Sequence, residues 1–128
     1  MDSSPNTSPG FARNPSKVIA VKPQPGTVVV YAGETEIARS TRAKALDEPP
    51  YPTAIYIPFE DIHFERLAKT AHSTHCPYKG DASYWSVQPA GEKGTNAMWA
   101  YEHPYDAMTE IANHGAFYPD RVRIVTEG

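Results

Sequence analysis

The sequence predicts an all-β domain, mainly antiparallel, with a curled or barrel-like sheet and one short helix. Three observations carry this reading. β-Branched and aromatic residues come in short runs, of which Thr27-Val28-Val29-Val30-Tyr31 is the clearest. Thirteen prolines and eight glycines interrupt the chain too often for long helices. Only Tyr105 to Ala112 sets apolar residues, Met108 and Ile111, at helical spacing. A chain of 128 residues suits one domain, and one of this size buries roughly two-thirds of its unfolded surface.

Residues 1–16 are rich in Ser, Pro, Asn and Gly and nearly devoid of apolar side chains. Such a composition does not offset the entropy of ordering, so it reads as a disordered tail, with Phe11 the one residue suited to dock. The folded domain is expected over residues 17–128. Lys17 to Val21 reads as a short edge strand ended by Pro23, Pro25 and Gly26. Thr27 to Tyr31 and Thr35 to Ser40 form a hairpin about Ala32-Gly33-Glu34. Thr41 to Leu46 reads as a connector, and Asp47 to Pro52, with three prolines, as a rigid loop. Ala54 to Ile57 is a strand stopped by Pro58, and Phe59 to Asp61 a turn. Ile62, Phe64 and Leu67 suit a short strand that covers a core edge, followed by a loop over His72 to Gly80.

That loop opens the stretch around which the chain is organised, Thr74 to Ser86. It holds the only cysteine together with Lys79, Asp81, Tyr78, Tyr84 and Trp85. Ala82 to Gln88 follows as a strand whose alternation places Ala82, Tyr84 and Ser86 on one face and Ser83, Trp85 and Val87 on the other. Pro89 to Gly94 turns the chain. Thr95 to Tyr101 returns with Ala97, Trp99 and Tyr101 sharing a face. After the helix over Tyr105 to Ala112, Asn113-His114-Gly115 reads as its cap, with the glycine left-handed. Ala116 to Tyr118 and Val122 to Val125 are the last strands.

A net charge of −3 and a pI near 5.9, with no basic run, argue against nucleic acid as the main partner. No apolar stretch approaches the twenty or so residues that cross a bilayer. A single cysteine and no secretory leader pattern give the expectation of a cytoplasmic protein.

Cys76 is a candidate nucleophile with His72 or His75 as base. Neighbours on an extended segment point opposite ways, which places His75 poorly for that task. The competing reading is an inert cysteine before a proline turn. His72, His75 and Cys76, with His63, His103 and His114, are the only metal-ligand candidates. Zinc requires three or four converging ligands, and the expectation is surface histidines, no metal and no cofactor. Lys79 stands in a turn between aromatic residues. It suits an anion contact or a Schiff base, or else an ion pair with Asp81 or Glu48. Arg42 suits an anion at the same mouth, or a pair with Asp47 or Glu48. Tyr84, Trp99 and Tyr101 are the aromatic residues expected to line a groove.

Thr74, Cys76-Pro77, Lys79-Gly80, Ala82, Tyr84 and Trp85 together resemble the central signature of domain-of-unknown-function family 427. Tyr56-Ile57-Pro58 with Asp61, Ala97-Met98-Trp99-Ala100-Tyr101 and Ala116 to Val122 are similar to its flanking blocks, in order. The resemblance implies a small all-β fold like the Mss4-type folded-sheet domains, without their paired Cys-x-x-Cys zinc ligands. The family sometimes carries a nucleotidyltransferase label. Neither a Gly-Ser pair followed by spaced aspartates nor a glycine-rich phosphate loop occurs here. The expected function is a binding module for a small anionic or planar molecule or a protein partner, with Arg42, Lys79, Tyr84, Trp99 and Tyr101 as the contacts. The alternatives are an enzyme with Cys76 or Lys79 as nucleophile, and a structural domain that pairs with a second copy through a strand edge.

Overall fold

A computed structural model describes residues 6–127. The described residues form ten strands in two antiparallel sheets, curled but not closed into a barrel. In chain order the strands are β1 (Ala20–Pro23), β2 (Thr27–Ala32), β3 (Thr35–Ser40), β4 (Lys44–Asp47) and β5 (Ala54–Pro58). They continue as β6 (Leu67–Cys76), β7 (Gly80–Val87), β8 (Met98–Ala100), β9 (His114–Phe117) and β10 (Arg123–Glu127). The large sheet runs β1-β4-β5-β9-β8-β7-β6, and the small one β10-β2-β3.

The large sheet is apolar on both faces, and this sets the architecture. Against one face lies the small sheet. Val28, Val30 and Ile37 from it meet Ile57, Trp85, Val87, Met98 and Phe117 from the large one. The valines of β2 are fully buried, as a continuous β-branched run covered on both sides requires. The other face gathers Leu46, Tyr56, Ala82, Tyr84, Tyr101 and Ala116 beneath Met108 and Ile111, with Phe11, Ile19 and Val21 packed at its margin. Tyr84, Trp99 and Tyr101 do share this face; Ala97 belongs to the core between the sheets.

Several expectations need correction. Residues 1–5 lie outside the described residues, but Asn6 to Ser16 is no featureless tail. Pro9–Arg13 forms a single α-helical turn (α1), and its neighbour Ser8 is buried. Hydrogen bonds to the β6–β7 turn supply what the composition does not. Gly10 N donates to the Pro77 carbonyl at 2.8 Å, and Ser8 Oγ lies 2.9 Å from the carbonyls of both Pro77 and Tyr78. Gly10 has no room for a side chain, since a Cβ would lie 2.9 Å from the Pro77 backbone. Phe11 docks edge-on against Tyr78 with centroids 5.0 Å apart.

The connector over Thr41 to Leu46 holds strand β4, paired with both β1 and β5. The loop over His72 to Gly80 is mostly strand: β6 runs to Cys76, and the turn is Pro77 to Lys79 alone. Its polar residues face solvent on an edge strand, so no apolar alternation marked it. The expected helix at Tyr105 to Ala112 is instead a pair of 3-10 turns over Asp106–Ile111, kinked at Met108. Met108 and Ile111 are buried as the spacing implied. The left-handed residue after it is Asn113, at φ 59°, while Gly115 lies within β9. No helix among the described residues is long and apolar enough to cross a membrane.

Two consequences are measurable. A Cβ at Gly94 would lie 2.1 Å from the Val87 carbonyl oxygen. Gly94→Ala therefore lowers stability by about 2–3 kcal/mol, read from the urea midpoint. Gly115→Ala costs less, because its nearest obstacles are the tips of the Met98 and Ile62 side chains. Burial holds His114 below its ordinary pKa, against the opposing pull of its Nδ1 contact with the Ala112 carbonyl. The folded state thus resists protonation. The contribution is intact above the unfolded-state pKa of about 6.5 and is lost as pH falls below it. His114→Asn, which keeps the donor, flattens the fall in stability between about pH 7 and 5 in denaturant titrations at each pH; an unchanged slope rules this origin out.

Candidate functional site

The face of the large sheet away from the small one carries the site. Cross-strand register sets Tyr56 opposite Ala116, Ala116 opposite Trp99, and Trp99 opposite Tyr84. One row of side chains thus crosses four strands. Ala116 is the small member, and across it the Trp99 indole N–H donates to the Tyr56 hydroxyl at 3.0 Å. Tyr118 lies against Trp99 with centroids 4.5 Å apart. Burial, then the neighbouring Tyr84 hydroxyl, push its phenol up to about 12. Tyr84 shares a 2.9 Å hydrogen bond with the Thr74 hydroxyl and meets the His72 ring at 4.5 Å. Burial also drives the Tyr56 and Tyr101 phenols above their usual range. The Tyr56, Tyr101 and Tyr118 hydroxyls therefore stay protonated at any physiological pH.

The aromatic face around this row is closed at one end and open at the other. Tyr56, Tyr84 and Tyr101 are buried, Trp99 and Tyr118 are half-buried, and His72 and Thr74 are exposed. At the closed end Lys79 is turned inward from the β6–β7 turn and is only 8% exposed. Its Nζ donates to Glu48 Oε1 at 2.5 Å and lies 5.9 Å from the Tyr101 ring centroid. The second Glu48 oxygen is 3.4 Å from Lys17 Nζ, and that ammonium also faces Tyr78 at 5.3 Å. Cys76 is half-buried on the same side, packed against the aromatic cluster.

Of the residues singled out from sequence, Lys79, Tyr84, Trp99 and Tyr101 come together, with Cys76 beside them. Arg42 does not join them. It is paired with Asp61 at 3.1 Å, beyond the opposite end of β4 from Glu48. Five residues, four of them strand β4, separate Arg42 from Glu48, a span of up to about 20 Å. The pair is neither of those expected: Asp61, which also takes a 2.6 Å hydrogen bond from Ser40, holds the arginine instead. Burial raises the Asp61 pKa, but the hydrogen bonds from Ser40 and Arg42 outweigh it and the net shift is downward.

His75 is directed to Asp81, with Nδ1 to Oδ1 at 2.7 Å. It lies opposite Asp81 in the register, while Cys76 lies opposite Gly80. Among the described residues no three His, Cys, Asp or Glu side chains are grouped to hold a metal. Sequence reasoning missed Glu48 as a member of the aromatic cluster and Tyr118 as the partner of Trp99. The weak signal for Glu48 was its weighing as one of two acids for Lys79; for Tyr118 there was only aromatic composition.

Fold and site together define a small two-sheet antiparallel β domain whose aromatic face ends at a buried lysine–glutamate pair. The chain belongs to the family described as a domain of unknown function, DUF427, whose model matches residues 20–128. The docked segment from Asn6 to Ile19 precedes that match. No curated protein matches the chain.

The buried pair carries its own test. Removing one member leaves the other charge unpaired in a desolvated site, at a cost of about 3–5 kcal/mol. Lys79→Met and Glu48→Leu should each destabilise on that scale in urea titrations. The double variant should recover much of the loss, giving a coupling energy well above that of a surface pair. Additive losses would show that the two side chains do not depend on one another.

Proposed function

We propose that the domain is a binding module whose ligand is planar and lies on the open end of the aromatic face, over Trp99 and Tyr118. The observation that supports this most is the exposure that Trp99 and Tyr118 keep. An indole and a phenol, in contact with each other, stay half-exposed on a sheet face whose remaining aromatic residues are covered. Aromatic faces of this kind offer a planar molecule stacking area at little entropic cost, and their polar tips give it orientation. Here the tips are fixed in advance. Tyr56 holds the Trp99 N–H, and Thr74 holds Tyr84. The Thr74 hydroxyl and the His72 ring stand at the exposed margin, where they can meet the polar edge of a ligand.

This reading narrows the sequence-based one. Lys79 is already neutralised by Glu48 beneath the N-terminal segment, so the ligand needs no negative charge at that point. Nucleophilic chemistry draws less support: the imidazole adjacent to Cys76 is engaged with Asp81, and the Lys79 ammonium with a carboxylate.

Fluorescence tests the proposal directly, because Trp85 is buried in the core and Trp99 is not. A screen of planar heteroaromatic compounds should find at least one that quenches the emission saturably. Trp99→Leu should abolish the response, and Tyr118→Leu should weaken binding by about fivefold, the worth of one aromatic contact. No saturable ligand in the screen, or quenching retained in Trp99→Leu, would remove the aromatic row as the binding surface.

A further inference from the structure

Positive charge is unevenly neutralised in this molecule. Among the described residues, six of the twelve lysines and arginines have a carboxylate partner within 4.0 Å: Lys17, Lys22, Arg39, Arg42, Lys69 and Lys79. Three of the remaining six, Lys93, Arg121 and Arg123, line one cavity of about 500 Å³. Among the described residues none of the three forms an ion pair. Tyr31, Gly33 and Asp120 complete the charged and open parts of the wall.

The sequence builds this cluster from three separate turns. Gly33, at φ 61°, turns β2 into β3, and a Cβ there would touch nothing. The 3-10 segment after β7 brings Lys93. The turn between β9 and β10 closes on hydrogen bonds from Arg121 N and Val122 N to the Tyr118 carbonyl, at 3.0 and 3.3 Å. It delivers Asp120 and Arg121, and the start of β10 brings Arg123 opposite Tyr31.

Two of the cations are fixed in place by neutral groups. Arg121 Nη1 donates to the carbonyls of Thr95 at 3.2 Å and Lys93 at 3.4 Å. The Arg123 guanidinium lies 4.4 Å from the centroid of the Tyr31 ring. A carbonyl or a ring face orients a guanidinium without cancelling its charge, and leaves other N–H donors of the fork available. The wall therefore presents three cations against the single carboxylate of Asp120, in a chain whose net charge is −3. Such a local reversal of sign draws small anions to it. The volume is that of a small-molecule site. Paired guanidinium forks match phosphate oxygens better than they match a point anion.

We propose that this cavity binds a small molecule through a phosphate or diphosphate group, held by Arg121, Arg123 and Lys93. It shares no lining residue with the aromatic row, although the turn that carries Asp120 and Arg121 begins directly after Tyr118.

Isothermal titration of the full chain with inorganic pyrophosphate tests this, with citrate as the carboxylate comparison. The expected result is one saturable site per chain that weakens as salt is raised. Arg121→Gln and Arg123→Gln should each reduce affinity about tenfold, while Lys22→Gln, at a paired cation elsewhere, should leave it unchanged. Arg121 also ties its turn to the segment at Lys93. Lys93→Gln, an exposed side chain, keeps the experiment decisive if Arg121→Gln unfolds. Amide chemical shifts should move at residues 31–33 and 120–123. No saturable heat, affinity indifferent to all three substitutions, or citrate binding as tightly as pyrophosphate would overturn the proposal.

Discussion

The contact between Lys79 and Glu48 is where the curl of the large sheet becomes a closed end. Glu48 follows β4 and Lys79 precedes β7, and these strands are four places apart in the sheet order. In a flat sheet four steps amount to roughly 19 Å, nearly twice the combined reach of the two side chains. The 2.5 Å bond between them thus requires the sheet to bend until its ends approach. The bend encloses Tyr56, Tyr84 and Tyr101 and leaves the pair itself little contact with water. This desolvation makes the pairing obligatory, because neither charge is tolerated alone at that depth. The N-terminal segment lies over the same gap. Lys17 reaches Glu48, while Ser8 and Gly10 bind the turn that carries Lys79. A segment poor in apolar residues is ordered because carbonyls at the closed end need donors.

What the sequence made legible followed how strongly each element was patterned. The valine run of β2 and the alternation from Ala82 to Val87 each fix a strand and its faces, and both stand where expected. Thr41 to Leu46 and Leu67 to Cys76 gave no such pattern. The first is a short central strand, buried at Ala45 and Leu46 with lysine at its start. The second is an edge strand with one face in water, and a bulge between Lys69 and Ser73 disturbs its period. Met108 and Ile111 were read correctly as buried, but i to i+3 spacing serves a 3-10 turn as well as an α-helix. The docking of Asn6 to Ser16 was illegible in kind, since it rests on backbone hydrogen bonds to a turn that no local composition reveals.

The site was legible in its members more than in its grouping. Alternation along β7 and β8 put Tyr84, Trp99 and Tyr101 on one face, and an antiparallel pairing of those strands made them neighbours. Whether a cation joins them depends on the bend of the sheet, which sequence spacing does not encode. Lys79 and Arg42 look alike as loop cations near acids. One is carried into the closed end and the other is held at the far end of β4 by Asp61.

That separation bears on where this molecule can meet an anion. A buried cation with a dedicated carboxylate has spent its charge on the fold, and an incoming anion would have to displace Glu48 and leave it unpaired. An exposed cation fixed by carbonyls or a ring has not. The two kinds occur at different places in this structure, the first at the closed end of the aromatic face and the second around the β2–β3 and β9–β10 turns. The neutralised cation and the open ones therefore belong to different parts of the fold. The lysine that stands out most in the sequence is a structural element of the first, and the arginines of a C-terminal turn carry the open charge of the second.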